Sequence, residues 1–189
     1  MVVTEWAREN CFLIVISGPT CSGKTFVSGK LKQRFSEEYP SLKVKVFHLD
    51  DYYYEENEEG NYDWPRAFDI SKLCYEILVA QETNDVIIME GIFIGYVQLE
   101  WDYVIHLQAS VETIVERRIK RFKELSAKGD PSVAGFDDSE EMLIYQILPA
   151  YERWFKDEHF EECSHIKEFT SSEGADFETL FQDICSSKQ

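Results

Sequence analysis

Basic side chains are scarce in this 189-residue sequence: 19 lysines and arginines stand against 36 aspartates and glutamates, for a net charge of −17. Binding to a phosphate backbone is driven by lysine and arginine neutralising the polyanion, so neither nucleic acid nor an anionic membrane surface is an expected partner. Cysteine is present but unpatterned. Cys11, Cys21, Cys74, Cys163 and Cys185 are odd in number and scattered, with no CxxC pair, which argues against a disulfide framework or a zinc site and for a reducing compartment. No run reaches the roughly 18 apolar residues a membrane-spanning helix needs. The first ten residues carry Glu5 and Glu9 in place of a basic, apolar leader, and the expected location is the cytoplasm. Neither N-K-x-D nor D-x-x-G occurs, which removes the GTPases, and nothing resembling LSGGQ occurs, which removes the ABC-type ATPases. Repeats, low-complexity tracts and linkers are missing too, so residues 1–189 are expected to form one domain.

What is there is an alternation of strand-like and helix-like segments. Cys11 to Ile16 is a continuous apolar run, as in a strand buried on both faces of a parallel sheet. Val27, Leu31 and Phe35 then share one helical face. Val44 to Leu49 reads as a second strand, followed by a tyrosine-rich polar loop from Asp51 to Trp64. Pro65 predicts a helix start ahead of the stripe Ile70, Leu73, Cys74, Ile77 and Leu78. Val86 to Met89 and Tyr103 to Leu107 are the third and fourth strands, and Ser110 is the expected N-cap of a helix lined by Val111, Ile114, Val115, Ile119 and Phe122. Asp138 with Glu141 resembles a capping box for a further helix that Pro149 should kink. A weak strand at His165 to Phe169 and a helix carrying Phe177, Leu180, Phe181, Ile184 and Cys185 close the chain. Such alternation predicts an α/β protein with a parallel sheet between layers of helices.

Gly18-Pro19-Thr20-Cys21-Ser22-Gly23-Lys24-Thr25 fits G-x-x-x-x-G-K-[ST] and lies between an expected strand and an expected helix, the context a phosphate-binding loop requires. Gly18, Ser22 and Gly23 would let backbone N–H groups face phosphate oxygens, Lys24 would reach the terminal phosphates of ATP, and Thr25 would hold Mg²⁺ through its hydroxyl. With GTPases and ABC ATPases removed, a small-molecule kinase remains, and it needs an acceptor pocket and basic residues over the phosphates.

The acceptor candidates start at the end of the second strand, Asp50-Asp51-Tyr52-Tyr53-Tyr54, where ligands commonly bind in open parallel sheets. Asp63, beside Tyr62 in NYDWPRAFD, is a second acid set among aromatics, a combination suited to a sugar diol beneath a stacked base. Glu90 ends the third strand and is placed to organise Mg²⁺, with Asp51 as its rival for the metal. Arg117, Arg118 and Arg121 lie on the helix after the fourth strand, Arg118 within its apolar stripe. They are the expected lid cations that close on the phosphates, with the lid spanning about 117–137.

These parts together resemble the uridine kinase and nicotinamide riboside kinase group of P-loop kinases, from about Phe12 to Phe155. The likeness rests on GPTCSGKT, the Asp50-Asp51-Tyr52-Tyr53 segment, NYDWPRAFD, VIIMEGIFI and the basic stretch from Arg117 to Arg121. It implies a P-loop NTPase fold of the nucleoside/nucleotide kinase kind, three-layer α/β/α with a five-stranded parallel sheet in the order 2-3-1-4-5 and a small helical lid. It implies ATP and Mg²⁺ as cofactors and 5′-phosphorylation of a small nucleoside-like substrate. By position it makes Asp50 the general base or hydroxyl-orienting acid, Asp63 the reader of the ribose 2′ and 3′ hydroxyls, Tyr62 a wall of the base pocket, and Arg118 and Arg121 the lid arginines. The sequence departs from uridine kinases in having barely one helix between Ile70 and Asp85, where they carry a pyrimidine-reading hairpin. That departure points toward nicotinamide riboside. Kinases of non-nucleoside alcohols, pantothenate-like or sugar-like, and a catalytically silent nucleotide-binding module are the alternatives, and the sequence leaves monomer or homo-oligomer open.

Overall fold

The computed structural model describes residues 10–54, 65–129, 141, 144, 145, 148, 149, 163, 165–170 and 177–187. Five strands, β1 (Phe12–Ser17), β2 (Val44–His48), β3 (Val86–Glu90), β4 (Tyr103–Gln108) and β5 (Ile166–Thr170), form one parallel sheet in the order β2-β3-β1-β4-β5. Four helices belong to the described residues: α1 (Lys24–Glu38), α2 (Ile70–Gln81), α3 (Val111–Ala127) and α4 (Phe177–Ser187). None of them is long and apolar enough to cross a membrane.

β1 is buried along its whole length because successive side chains of a strand point to opposite faces and both faces are covered. Leu13 and Val15 join Phe47, Ile87, Met89 and Val104 in a core closed by Leu73 and Ile77 of α2. Phe12, Ile14 and Ile16 join the opposite core, closed by Val27, Leu31 and Phe35 of α1 and by Leu180, Phe181 and Ile184 of α4. The Phe35 and Phe181 rings meet edge-on at 5.1 Å, locking α1 to α4.

Aspartates fasten the entrances of the strands. Asp102 accepts the Leu13 N–H at 2.7 Å and donates its own N–H to the Leu13 carbonyl at 3.0 Å, while Asp85 does the same for Lys43 at 2.7 and 2.9 Å. Each carboxylate satisfies a backbone donor near the start of a strand and so helps to fix register there.

The expected strands appear within one residue of their predicted limits. The helix predicted from Pro65 does not: Pro65–Ala67 is a single 3-10 turn, and α2 starts at Ile70 because Asp69 is its N-cap, accepting the Lys72 N–H at 2.9 Å. Ser110 caps α3 as predicted, accepting the Thr113 N–H at 3.2 Å. The Asp138 cap, and most of the helix and lid segment expected beyond Gly129, lie outside the described residues.

Candidate active site

The strands' C-terminal ends all open on one edge of the sheet, and β1 lies between β3 and β4 there, at the point where the chain's crossover connections diverge to either side. The loop leaving β1 takes φ values of +148° at Gly18, +56° at Cys21 and +101° at Gly23. A Cβ at Gly18 would stand 2.7 Å from the Leu107 carbonyl oxygen and 2.9 Å from Ser22 Oγ, so only glycine lets the loop lie this close against β4.

α1 begins in an unusual state for this protein. α2 and α3 have side-chain N-caps, whereas the N-cap of α1 is Gly23, which supplies none, and no acid occupies its first turn. Backbone N–H groups and the positive end of the helix dipole thus converge on a concave loop with no acid of the helix's own first turn beside them. The fully buried Ser22 hydroxyl has no hydrogen-bond partner among the described residues. A glycine-lined cradle with a spare buried hydroxyl at a helix N-terminus fits the phosphates of a nucleotide.

Lys24 is buried and folded over the loop, its Nζ donating to the carbonyls of Gly18 at 3.0 Å and Pro19 at 2.8 Å. Thr25 Oγ1 donates to Glu90 Oε1 at 2.8 Å, and His48 Nδ1 reaches the same oxygen at 2.7 Å. The structure thereby brings together Thr25 and Glu90, which the sequence named separately, and adds His48, which it did not name. The signal for His48 exists only in three dimensions: β2 and β3 pair so that His48 and Glu90 are direct neighbours at the strand ends. No group of three or more His, Cys, Asp or Glu able to hold a metal occurs among the described residues. Magnesium at phosphates needs no such cage, because phosphate oxygens and waters supply most of its shell and one hydroxyl or carboxylate completes it. Thr25 with Glu90 meets that requirement.

Asp50 and Asp51 lie in the 3-10 turn Leu49–Tyr52 that follows β2. Asp50 is exposed, yet the protein around it partly desolvates the carboxyl and raises its pKa. Glu90 adds to the rise, while Lys24 and Arg121 oppose it. Asp50 is thus electrostatically coupled to both sides of the cradle. The turn is pinned from below: the Tyr52 hydroxyl donates to Glu76 Oε2 on α2 at 2.6 Å, and burial together with that carboxylate raises the phenol's pKa. Tyr53 forms an antiparallel bridge with Phe68 and packs its ring 4.2 Å from that of Phe68. A second glycine sets the height of the turn, since a Cβ at Gly91 would stand 2.5 Å from the Cβ of the fully buried Leu49.

On α3, Arg117 donates to the Cys21 carbonyl at 3.3 Å and Arg118 to Thr20 Oγ1 at 3.0 Å, so two of the three predicted lid arginines reach the cradle itself. Arg121 is exposed and acts on Asp50 through its charge. Tyr62 and Asp63 lie outside the described residues. His106, register neighbour of Ser17, belongs to the cradle's floor; burial lowers its pKa, Lys24 adds to the fall, and Glu168 opposes it.

An open five-stranded parallel sheet with a glycine-lined cradle between its central strand and the first helix defines the P-loop NTPase fold. The AAA domain family model matches residues 14–142, more than half of the chain. The chain belongs to that family. Over 175 residues it is 26% identical to the uridine kinase of Salmonella paratyphi B, a match covering 74% of this chain and 82% of the relative. It is 29% identical to the uridine kinase of Psychromonas ingrahamii over 85 residues, spanning 41% of this chain but only 40% of that relative's length. Among solved structures, a protein described as a fructose transport system kinase from Silicibacter sp. TM1040 superposes with a TM-score of 0.59 at 17% identity. That superposition covers 77% of this chain and 86% of the other, and shows the shared fold.

Proposed function

We propose that this protein transfers the terminal phosphoryl group of ATP to the 5′-hydroxyl of a small ribonucleoside. The observation that carries the reading is Asp50, a solvent-facing carboxylate after β2 that is coupled electrostatically to Lys24, Glu90 and Arg121. Phosphoryl transfer asks little covalent chemistry of a protein; it asks for alignment of the acceptor and for positive charge around the phosphates. Asp50 orients the incoming hydroxyl and accepts its proton, Lys24 and the loop amides hold the triphosphate, and Arg117 and Arg118 lie within reach of the same loop. Thr25 and Glu90 would hold Mg²⁺, which when bound neutralises charge developing on the transferring group.

Asp63 and Tyr62 support a ribonucleoside over other alcohols by their place in NYDWPRAFD, and the uridine kinases among the relatives point the same way. Within nucleosides, the structure favours an acceptor other than a pyrimidine. α2 ends at Gln81 and β3 begins at Val86, so the four intervening residues leave no space for a base-reading hairpin. Nicotinamide riboside, whose ring is held by aromatic packing, suits the tyrosine-rich segment that follows Asp51.

The test is ADP release with Mg·ATP across uridine, cytidine, nicotinamide riboside, pantothenate and simple sugars. Turnover is expected with a ribonucleoside, nicotinamide riboside first. Turnover confined to a non-nucleoside alcohol would reassign the acceptor, and tight Mg·ATP binding without turnover on any of them would leave a silent nucleotide-binding module.

A further inference from the structure

His48 stands at the centre of the site with no role assigned above. We infer that it is a positioning residue that anchors one oxygen of Glu90 and so reserves the other for the metal's water shell. The inference rests on the phosphoryl-transfer reading of the same site.

An ionised carboxylate only accepts hydrogen bonds, so the 2.7 Å contact with Glu90 Oε1 makes His48 Nδ1 the protonated nitrogen. Thr25 Oγ1 donates to that same Oε1 at 2.8 Å. A hydroxyl has one proton, and with it committed to Glu90 the lone pairs of Thr25 are left for a cation. Two donors therefore converge on Oε1, while no donor among the described residues reaches Oε2. This is the arrangement in which outer partners orient a ligand: one oxygen is fixed by the protein, the other is presented.

The sheet enforces it. His48 and Glu90 are paired neighbours on parallel strands, each the last residue of its strand, and Glu90 is almost wholly buried while His48 keeps solvent contact. Without the imidazole, Thr25 alone would hold the carboxylate, and a glutamate with three rotatable bonds would no longer present a fixed oxygen.

The experiment uses the full-length protein and four versions of residue 48: histidine, His48→Ala, His48→Phe, which keeps a ring without the donor, and His48→Asn, whose amide N–H can take the place of Nδ1–H. Titration calorimetry with a non-hydrolysable ATP analogue, with and without Mg²⁺, is read beside kcat and the acceptor KM. His48→Ala and His48→Phe are expected to lose about tenfold of the magnesium-dependent gain in nucleotide affinity, and kcat by about the same factor. Metal-free nucleotide affinity and acceptor KM stay unchanged, and His48→Asn recovers most of the loss. Should the alanine variant fail to fold, the contrast of Phe with Asn decides. Undiminished magnesium dependence in His48→Phe, or an Asn variant as impaired as Phe, overturns the inference while leaving the phosphoryl-transfer reading in place. No magnesium dependence in the parent protein removes both.

Discussion

Around the phosphate cradle, Lys24, Thr25, Glu90 and His48 are held by hydrogen bonds of 2.7 to 3.0 Å to one another or to the loop, whereas Asp50 and Asp51, at the next strand end, accept none from a described residue. The first region is set before any ligand arrives, and its polar groups need little reorganisation to receive charge. The second is fixed in its backbone, through Tyr52 to Glu76 and Tyr53 to Phe68, while its carboxylates stay open. On the phosphoryl-transfer reading proposed above, that division gives preorganised donors to the phosphates and leaves an open acceptor for an incoming hydroxyl.

The comparison breaks most visibly at Lys24. Lys24→Ala is expected to lower kcat by about a thousandfold, since it removes a charge that the phosphates need. Circular dichroism should stay native, because the lysine's described hydrogen bonds are to carbonyls of a loop whose shape glycine sets. An active Lys24→Ala protein would mean the cradle is not where phosphate binds.

Next in size is Asp50→Asn, for which a loss of about a hundredfold in kcat is expected. The pH profile sharpens this. Partial desolvation and Glu90 raise the Asp50 pKa from its ordinary value, so the acidic limb of kcat/KM should be displaced in the same direction and vanish in the asparagine variant. Stability runs the opposite way. A folded-state pKa above the unfolded one is a contribution present below the unfolded pKa and lost as pH rises through the folded value. Asp50→Asn should therefore raise Tm slightly at pH 7 while costing activity. A variant that loses activity and stability together would make Asp50 a structural residue.

The smallest effect concerns the backbone that carries the acceptor side. Asp69→Ala removes the α2 cap and should cost about 1 kcal/mol in a urea titration. Nucleotide affinity by calorimetry should not change, because nothing in the cradle touches that cap. A drop in nucleotide affinity would show the two regions to be mechanically joined.

Much of this was legible in the residues. Buried strands announce themselves as apolar runs, and the eight-residue loop carries its own spacing, so β1, the cradle and the end of β3 at Glu90 could be placed without coordinates. Three things could not. The α2 start is one, because Pro65 is compatible with a 3-10 turn as well as a helix, and Asp69 wins by capping. The role of His48 was hidden because one histidine at a strand end has no spacing signature; only strand register brings it to Glu90. For the arginines the sequence points to phosphate partners, and it does not show that Arg117 and Arg118 hydrogen-bond the loop's own Cys21 carbonyl and Thr20 hydroxyl.

Gly91 carries the longest reach for the smallest atom count. With no side chain there, Leu49 sinks fully into the interior, and Leu49 is covalently one step from Asp50. A single methyl at position 91 would act as a shim driven between two strand ends, tilting Asp50 away from the loop that follows β1. Misplacement of reacting groups by about 1 Å is enough to cost a hundredfold in rate. The spacing between Asp50 and the loop after β1 is gauged by a hydrogen atom that belongs to neither of them.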